Sequence, residues 1–218
     1  MNDSWRCECR NISIRFNERP VLADFNLGLR PGERVVITGD SGAGKSTVLR
    51  CLLGFVTPDQ GRVFVDGEEL TVESVWRLRR KMAFVPQEAD LGRGRVLDVL
   101  HRPFTFKSNA DLDFPETELP ALLERFYLSE ALLQEEIRTL SGGEKQRVAI
   151  IAALLLRRPI MLLDEATSAL DREARTAVQD YFAGQPELSV LAVTHDAHFQ
   201  ELAHRVVDLQ PPQGRKTR

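Results

Sequence analysis
The sequence predicts an α/β fold, and three observations predict it. An apolar run, Val35-Val36-Ile37, enters a glycine loop, Gly39-Asp40-Ser41-Gly42-Ala43-Gly44-Lys45-Ser46-Thr47, and leaves it as a helical stretch over 48–53 that stops at Gly54. A second apolar run, 160–163, ends in two acids, Asp164-Glu165. A third, 188–193, ends in Thr194-His195-Asp196. Apolar runs interleaved with helical stretches make a layered α/β core.

The loop has the spacing G-x-x-x-x-G-K-S, and the strand before it and helix behind it turn that pattern into a mechanism. Glycines let the backbone curl so that successive N–H groups point at phosphate oxygens, and the helix adds its positive N-terminal end. Lys45 supplies a point charge for the β- and γ-phosphates, and the Ser46 hydroxyl is placed to ligate Mg²⁺. The loop therefore predicts a bound nucleoside triphosphate.

At 218 residues the chain is expected to form one compact domain with room for two lobes. Hydrophobic residues at 43% and charged residues at 28% describe an ordinary soluble globule. A net charge of −3 gives no basic footprint, so no nucleic acid is expected. The first residues have no apolar signal-peptide core, and no apolar run approaches the roughly 20 residues that cross a bilayer. The expectation is a cytosolic chain whose membrane role needs a partner. Cys7, Cys9 and Cys51 are odd in number and read as structural thiols, with a metal clip at Cys7 and Cys9 as the alternative.

Residues 5–16 and 21–29 read as strands joined by a turn, Asn17-Glu18-Arg19-Pro20. Phe16 could stack on a base or serve as a core aromatic. Residues 62–67 read as a short strand, 72–81 as a basic amphipathic stretch, and 82–86 as a buried strand ending at Gln87. From 88 to about 140 strand signals vanish, and short helical stretches (96–100, 118–126, 130–135) suggest an inserted helical lobe. The core then resumes with a helix over 172–182, the strand over 188–193 and a last strand near 206–209. Pro211 to Arg218 reads as a loose tail. The stretch 88–100, with Leu91, Val96, Leu97 and Val99 beside Arg93 and Arg95, reads as an apolar groove with a charged rim.

The apolar run before Asp164 has the form of a strand that delivers a carboxylate to a nucleotide-bound Mg²⁺. Asp164 would hold the metal through water and Glu165 would polarise the attacking water. A second motif, Leu140-Ser141-Gly142-Gly143-Glu144-Lys145-Gln146-Arg147, places small residues before a helix and makes another anion-accepting N-terminus. One chain needs one phosphate loop per nucleotide, so a second such end implies a nucleotide shared between two chains. His195, Asp196, His198 and His204 also admit a metal-site reading.

Taken together, residues 39–47, Gln87, 140–144, 160–165, Ser168-Ala169-Leu170-Asp171 and His195 resemble the ATP-binding subunit of an ABC transporter, in order and spacing, over residues 5 to about 210. The resemblance implies a RecA-like P-loop NTPase core with an N-terminal antiparallel β subdomain. It places the core at about 1–87 and 159–210 and the helical subdomain at about 88–158. It implies that ATP and Mg²⁺ are bound, that Phe16 stacks on adenine, and that Gln87 senses Mg²⁺ and the attacking water. Ser141, Gly142 and Gly143 would meet the γ-phosphate held by a second copy. Asp171 would cross that interface, and His195 would hold the γ-phosphate and orient Glu165. The partners implied are a second copy, in a homodimer, and a membrane-spanning permease subunit on a separate chain, at the cytoplasmic face of the inner membrane. Ala152 departs from the arginine common at that position, which bears on local packing. A narrower resemblance, carried by 123–126 and 208–211, is to a bacterial iron-export ATPase subunit.

The competing reading is a soluble ABC-type ATPase acting in DNA repair or translation. Repair ATPases place a long coiled coil between the two motifs, and no heptads occur here. Translation-associated members usually have two cassettes in one chain, and one is present. A P-loop kinase would leave the 140–144 motif and His195 without a role.

Overall fold
A computed structural model describes residues 5–212 of the protein. Residues 213–218, most of the expected tail, lie outside the described residues.

Strands β1 (Cys7–Phe16), β2 (Arg19–Leu29), β4 (Gln60–Val65) and β5 (Glu68–Glu69) form an antiparallel sheet in the order β2-β1-β4-β5. The β1–β2 turn is shorter than the sequence suggests. Asn17 and Glu18, both at positive φ (49° and 63°), make a two-residue turn, and Arg19 already pairs with Phe16. Pro20 is tolerated inside β2 because that strand is an edge and its missing donor faces no neighbour. Cys7 and Cys9 share the buried face of β1, and Cys51 is also buried. Burial pushes the Cys7 and Cys51 thiols up to about 12, so both stay protonated as small apolar groups.

The second sheet is parallel: β3 (Arg34–Thr38), β6 (Met82–Val85), β7 (Ile160–Asp164), β8 (Ser189–Val193) and β9 (Arg205–Asp208), in the order β6-β7-β8-β3-β9. Its residues alternate between two apolar layers, as the two-residue period of a strand requires. Val36, Ala83, Val85, Met161, Leu163, Val190 and Ala192 face one layer. Val35, Ile37, Met82, Ile160, Leu162, Leu191 and Val193 face the other, with α1 (Lys45–Leu52) and the antiparallel sheet.

The first layer also takes in the helical insertion. It contains α3 (Val96–His101) and α4 (Leu119–Arg125), linked by short 3₁₀ turns, and leads into α5 (Gly142–Leu155). Leu100, Leu123 and Phe126 are fully buried there and share one cluster with Val178, Phe182 and Phe199 of α6 (Arg172–Ala183) and α7 (Ala197–Leu202). The groove expected over 88–100 is corrected at two residues: Val96 and Val99 lie in this core, at 0% and 5% exposure, while Leu91 and Leu97 are half-buried against it and Arg93 and Arg95 are exposed. Arg102 pins the preceding loop by donating to the carbonyls of Leu91 (3.2 Å) and Arg93 (2.6 Å). Between β5 and β6, α2 (Val75–Arg79) is shorter than the amphipathic stretch. Among the described residues no helix is long and apolar enough to cross a membrane.

Because Phe126 is wholly enclosed, Phe126→Ala should destabilise the fold by about 3–5 kcal/mol in urea unfolding. Phe106→Ala, at a ring 51% exposed, should stay within about 0.5 kcal/mol.

Candidate active site
Four parallel strands deliver the candidate residues to one edge. Gly39 follows β3, Gln87 lies two residues beyond β6, Asp164 ends β7, and Thr194-His195 follow β8. All sit at carboxyl ends of strands, where open α/β sheets bind ligands.

In the glycine loop, Gly44 at φ 102° caps α1 and lies tight against β2; a Cβ there would come within 2.9 Å of Val21 and 3.0 Å of Leu22. Only glycine meets both the conformation and the space. The same contact sets the β1–β2 hairpin beside the loop. Phe16, at the hairpin's turn, is 46% exposed, so its ring is not a core aromatic. Lys45 is 7% exposed and folds into the loop, its Nζ donating to the carbonyls of Gly39 (2.7 Å) and Asp40 (3.0 Å). Asp40, Ser41 and Gly42 are exposed, Ala43 and Thr47 are buried, and the Ala43 amide donates to Asp40. A lysine ammonium held on carbonyls of a glycine-rich turn at a helix N-terminus puts positive charge where an anion can bind.

Ser46 Oγ donates to Asp164 Oδ1 at 2.9 Å, across 118 residues of chain. Burial raises the Asp164 carboxyl above its ordinary range; Glu165 adds to this, while Ser46, Arg50 and Lys45 oppose it. Glu165 adopts φ 47°, left-handed for a residue with a side chain, and costs about 1 kcal/mol. Its amide is fixed on the Val193 carbonyl at 2.8 Å, and its Oε2 accepts from Gln87 Nε2 at 3.2 Å. An open cleft lined by Glu165, Thr167, Ser168, Arg175, Thr194 and His195 runs on from there.

The 140–144 motif sits on the helical side. Ser141 caps α5 in a full capping box, and Glu144 Oε2 accepts from both Ser141 N and Ser141 Oγ at 2.8 Å. Those two bonds hold the Glu144 carboxyl below its usual range. Ser141 and Gly142 are exposed, while Gly143 packs against the Ala169 carbonyl, which a Cβ would approach to 3.2 Å. Asp171 is exposed at the start of α6 and accepts from the Ala174 amide at 2.9 Å. The chain therefore holds the phosphate loop on its sheet and the second motif on its helical lobe.

Two buried glutamines escaped the sequence reading. Gln146, at 2% exposure, donates to the Pro86 carbonyl (2.9 Å), tying α5 to the residue before Gln87. Gln179, at 1%, donates to Asp196 (2.8 Å). Gln146 lies in the 140–147 motif without its contact being readable there, and Gln179 lies in none; a helical position facing a loop has no sequence signature. The metal alternative at 195–204 fares poorly. Asp196 caps α7, His204 accepts from the Arg34 amide, and His198 lies by Asp180. No group of three His, Cys, Asp or Glu among the described residues is arranged around a common point.

Comparison with known proteins agrees with this geometry. The family model described as ABC transporter matches residues 22–168. "Probable iron export ATP-binding protein FetA" of Escherichia coli K12 is 33% identical over 215 residues, covering 95% of this chain and 92% of the relative. "Energy-coupling factor transporter ATP-binding protein EcfA1" of Lactiplantibacillus plantarum is 37% identical over 197 residues, covering 85% and 67%. Among solved structures, the dimeric post-hydrolysis state of the ATP-binding cassette MJ0796, bound to ADP and Pi, superposes with a TM-score of 0.84 at 29% identity, covering 94% of each chain. A phosphate loop, a strand-end acid pair and a capped second motif on this fold make one conclusion: the chain belongs to the ABC transporter family, as one of its ATP-hydrolysing subunits.

Proposed function
We propose that the chain drives transport by closing, as a pair of identical copies, around two ATP molecules. The observation that carries this is the convergence at the sheet edge of the glycine loop, Ser46–Asp164 (2.9 Å) and Gln87–Glu165 (3.2 Å). Lys45 and the loop amides hold the β- and γ-phosphates, and Phe16 offers its exposed ring to the adenine. Ser46 and Asp164 are hard oxygen donors side by side, the set that suits Mg²⁺, which supplies charge to the phosphate oxygens when bound. Mg²⁺ also relieves the cost of keeping Asp164 ionised where burial disfavours it. Glu165 takes the proton of the attacking water, Gln87 orients that carboxylate, and His195 faces the γ-phosphate from the end of β8.

Ser141, Gly142 and Gly143 of each copy complete the site of the other, with Asp171 at the seam. Magnitude favours this division. Shifting a population from mostly open to mostly closed takes about 5.5 kcal/mol of differential binding, and a nucleotide touching only the glycine loop has equal contacts in both states. Glu165→Gln should retain ATP but lose roughly 10²–10⁴-fold in turnover and run as a dimer on size exclusion with ATP. Adding Ser141→Arg should return it to monomer. Normal turnover in the first variant, or an ATP-dependent dimer in the second, contradicts the assignment.

A separate membrane-spanning permease subunit completes the machine, holding the chain at the cytoplasmic face of the inner membrane. A second exposed apolar surface supports the contact with that partner. Val72 (86%) and Trp76 (73%) are exposed at a cavity of about 550 Å³, and Phe55 is exposed (61%) beside Arg79, whose guanidinium, also lining the cavity, lies 4.5 Å from the Phe55 ring and 4.9 Å from the Trp76 ring. Helix α2, which bears Trp76, packs on β6, the strand that leads to Gln87. Phe55→Asp with Trp76→Asp should abolish co-purification with the permease and leave ATP binding by the isolated subunit unchanged; retained co-purification moves the contact elsewhere.

Iron export is the cargo reading, supported by the likeness to FetA over nearly its full length. Deletion of the gene should raise cellular iron and sensitivity to peroxide. Unchanged iron and unchanged sensitivity remove this cargo and leave the ATPase reading intact.

A further inference from the structure
Asp171 caps helix α6, and one turn later Arg175 reaches back over the chain. Its Nη2 donates to the Leu170 carbonyl at 2.9 Å, beside Asp171. Its Nη1 donates to Asp196 Oδ2 at 3.2 Å, beside His195. Asp196 is held from its other side as well: Oδ1 accepts from Gln179 Nε2 (2.8 Å) and from the Phe199 amide (3.0 Å), and its own amide donates to Thr194 Oγ1 (3.1 Å). One guanidinium thus spans two segments that the sequence keeps 26 residues apart, and it lines the same cleft as Glu165 and His195.

The geometry is that of a tie. A planar guanidinium holds two acceptors in fixed relation, which a single ammonium cannot do. Leu170 and Gln179 are buried at 4% and 1%, so both anchors are rigid. Asp196 also caps α7, so its position sets both the helix start and the residue before it.

We infer that Arg175 is a positioning residue for hydrolysis: it locks the backbone at Leu170, next to the seam residue Asp171, to Asp196, so that contact made at residues 168–171 when two copies close fixes the ring of His195 over the cleft with Glu165. This rests on the site reading proposed above. Coupling is carried by a bonded path of two residues at each end, with no long-range relay required.

The test uses the full-length chain and steady-state ATP turnover in Arg175→Met, Arg175→Lys, Asp196→Asn and Arg175→Met/Asp196→Asn, with His195→Ala as reference. Expected are at least a tenfold fall in kcat in each single variant and a KM for ATP within twofold of the parent, because the glycine loop is untouched. The double variant should be no slower than the slower single one, since both break one tie. ATP-dependent dimerisation, read in the Glu165→Gln background, should persist in every variant. Unchanged kcat in the singles, additive losses in the double, or kcat falling only in step with the unfolded fraction measured by thermal melting would each overturn the inference. If Arg175→Met fails to fold, Asp196→Asn decides alone, because it keeps volume and the capping oxygen. Normal turnover in His195→Ala would instead bring down the site reading, whereas a slow His195→Ala beside normal Arg175 variants removes only the tie.

Discussion
A parallel sheet has to be covered on both faces, and the rest of this structure depends on that constraint. Both faces of β6-β7-β8-β3 are covered, and the edge strand β9 meets water, with Val206 44% exposed. One layer is made by α1 and the antiparallel sheet, the other by α5, α6, α7 and the insertion. With both faces closed, only the ends of the strands remain to meet a ligand. The carboxyl end is the one that the glycine loop, Gln87, Asp164 and His195 share.

That edge concentrates groups the fold would be more stable without. Burial raises the Asp164 carboxyl above its ordinary range, Glu165 holds a left-handed backbone, and Lys45 is buried on carbonyls. Each cost is offset by a local partner: Ser46 for Asp164, the Val193 carbonyl for the Glu165 amide, the loop backbone for Lys45. Buried charge gathered where four strands end is what a polyanion-binding cleft requires.

The helical lobe is joined to that edge by a few specific contacts. Gln146 holds α5 to Pro86, the residue before Gln87, and Gly143 sits against the backbone at Ala169, two residues before Asp171. The capped N-terminus of α5 is therefore registered against both the segment leading to Gln87 and the turn leading to Asp171. A helix hydrogen-bonded to one of these loops and packed against the other at its start moves with both.

The sequence alone determined whatever is encoded within a few residues. The strand–glycine loop–helix unit, the acid pair after an apolar run, the helix start after the small residues 141–143 and the short helices of the insertion all follow from local spacing, because a turn, a cap or a strand end is set by its immediate neighbours. Where local signals compete, the reading erred. Pro20 looked like turn punctuation but lies in an edge strand, and Val96 and Val99 looked like a surface groove but fill a core. Both outcomes depend on what lies alongside, which a linear pattern does not contain. Only the tertiary structure placed β3 between β8 and β9, joined Ser46 to Asp164 across 118 residues and Gln87 to Glu165 across 78, and brought Leu170 and Asp196 to one arginine. Those contacts are decided by which strands pair and which faces must be buried, and that is a property of the whole chain.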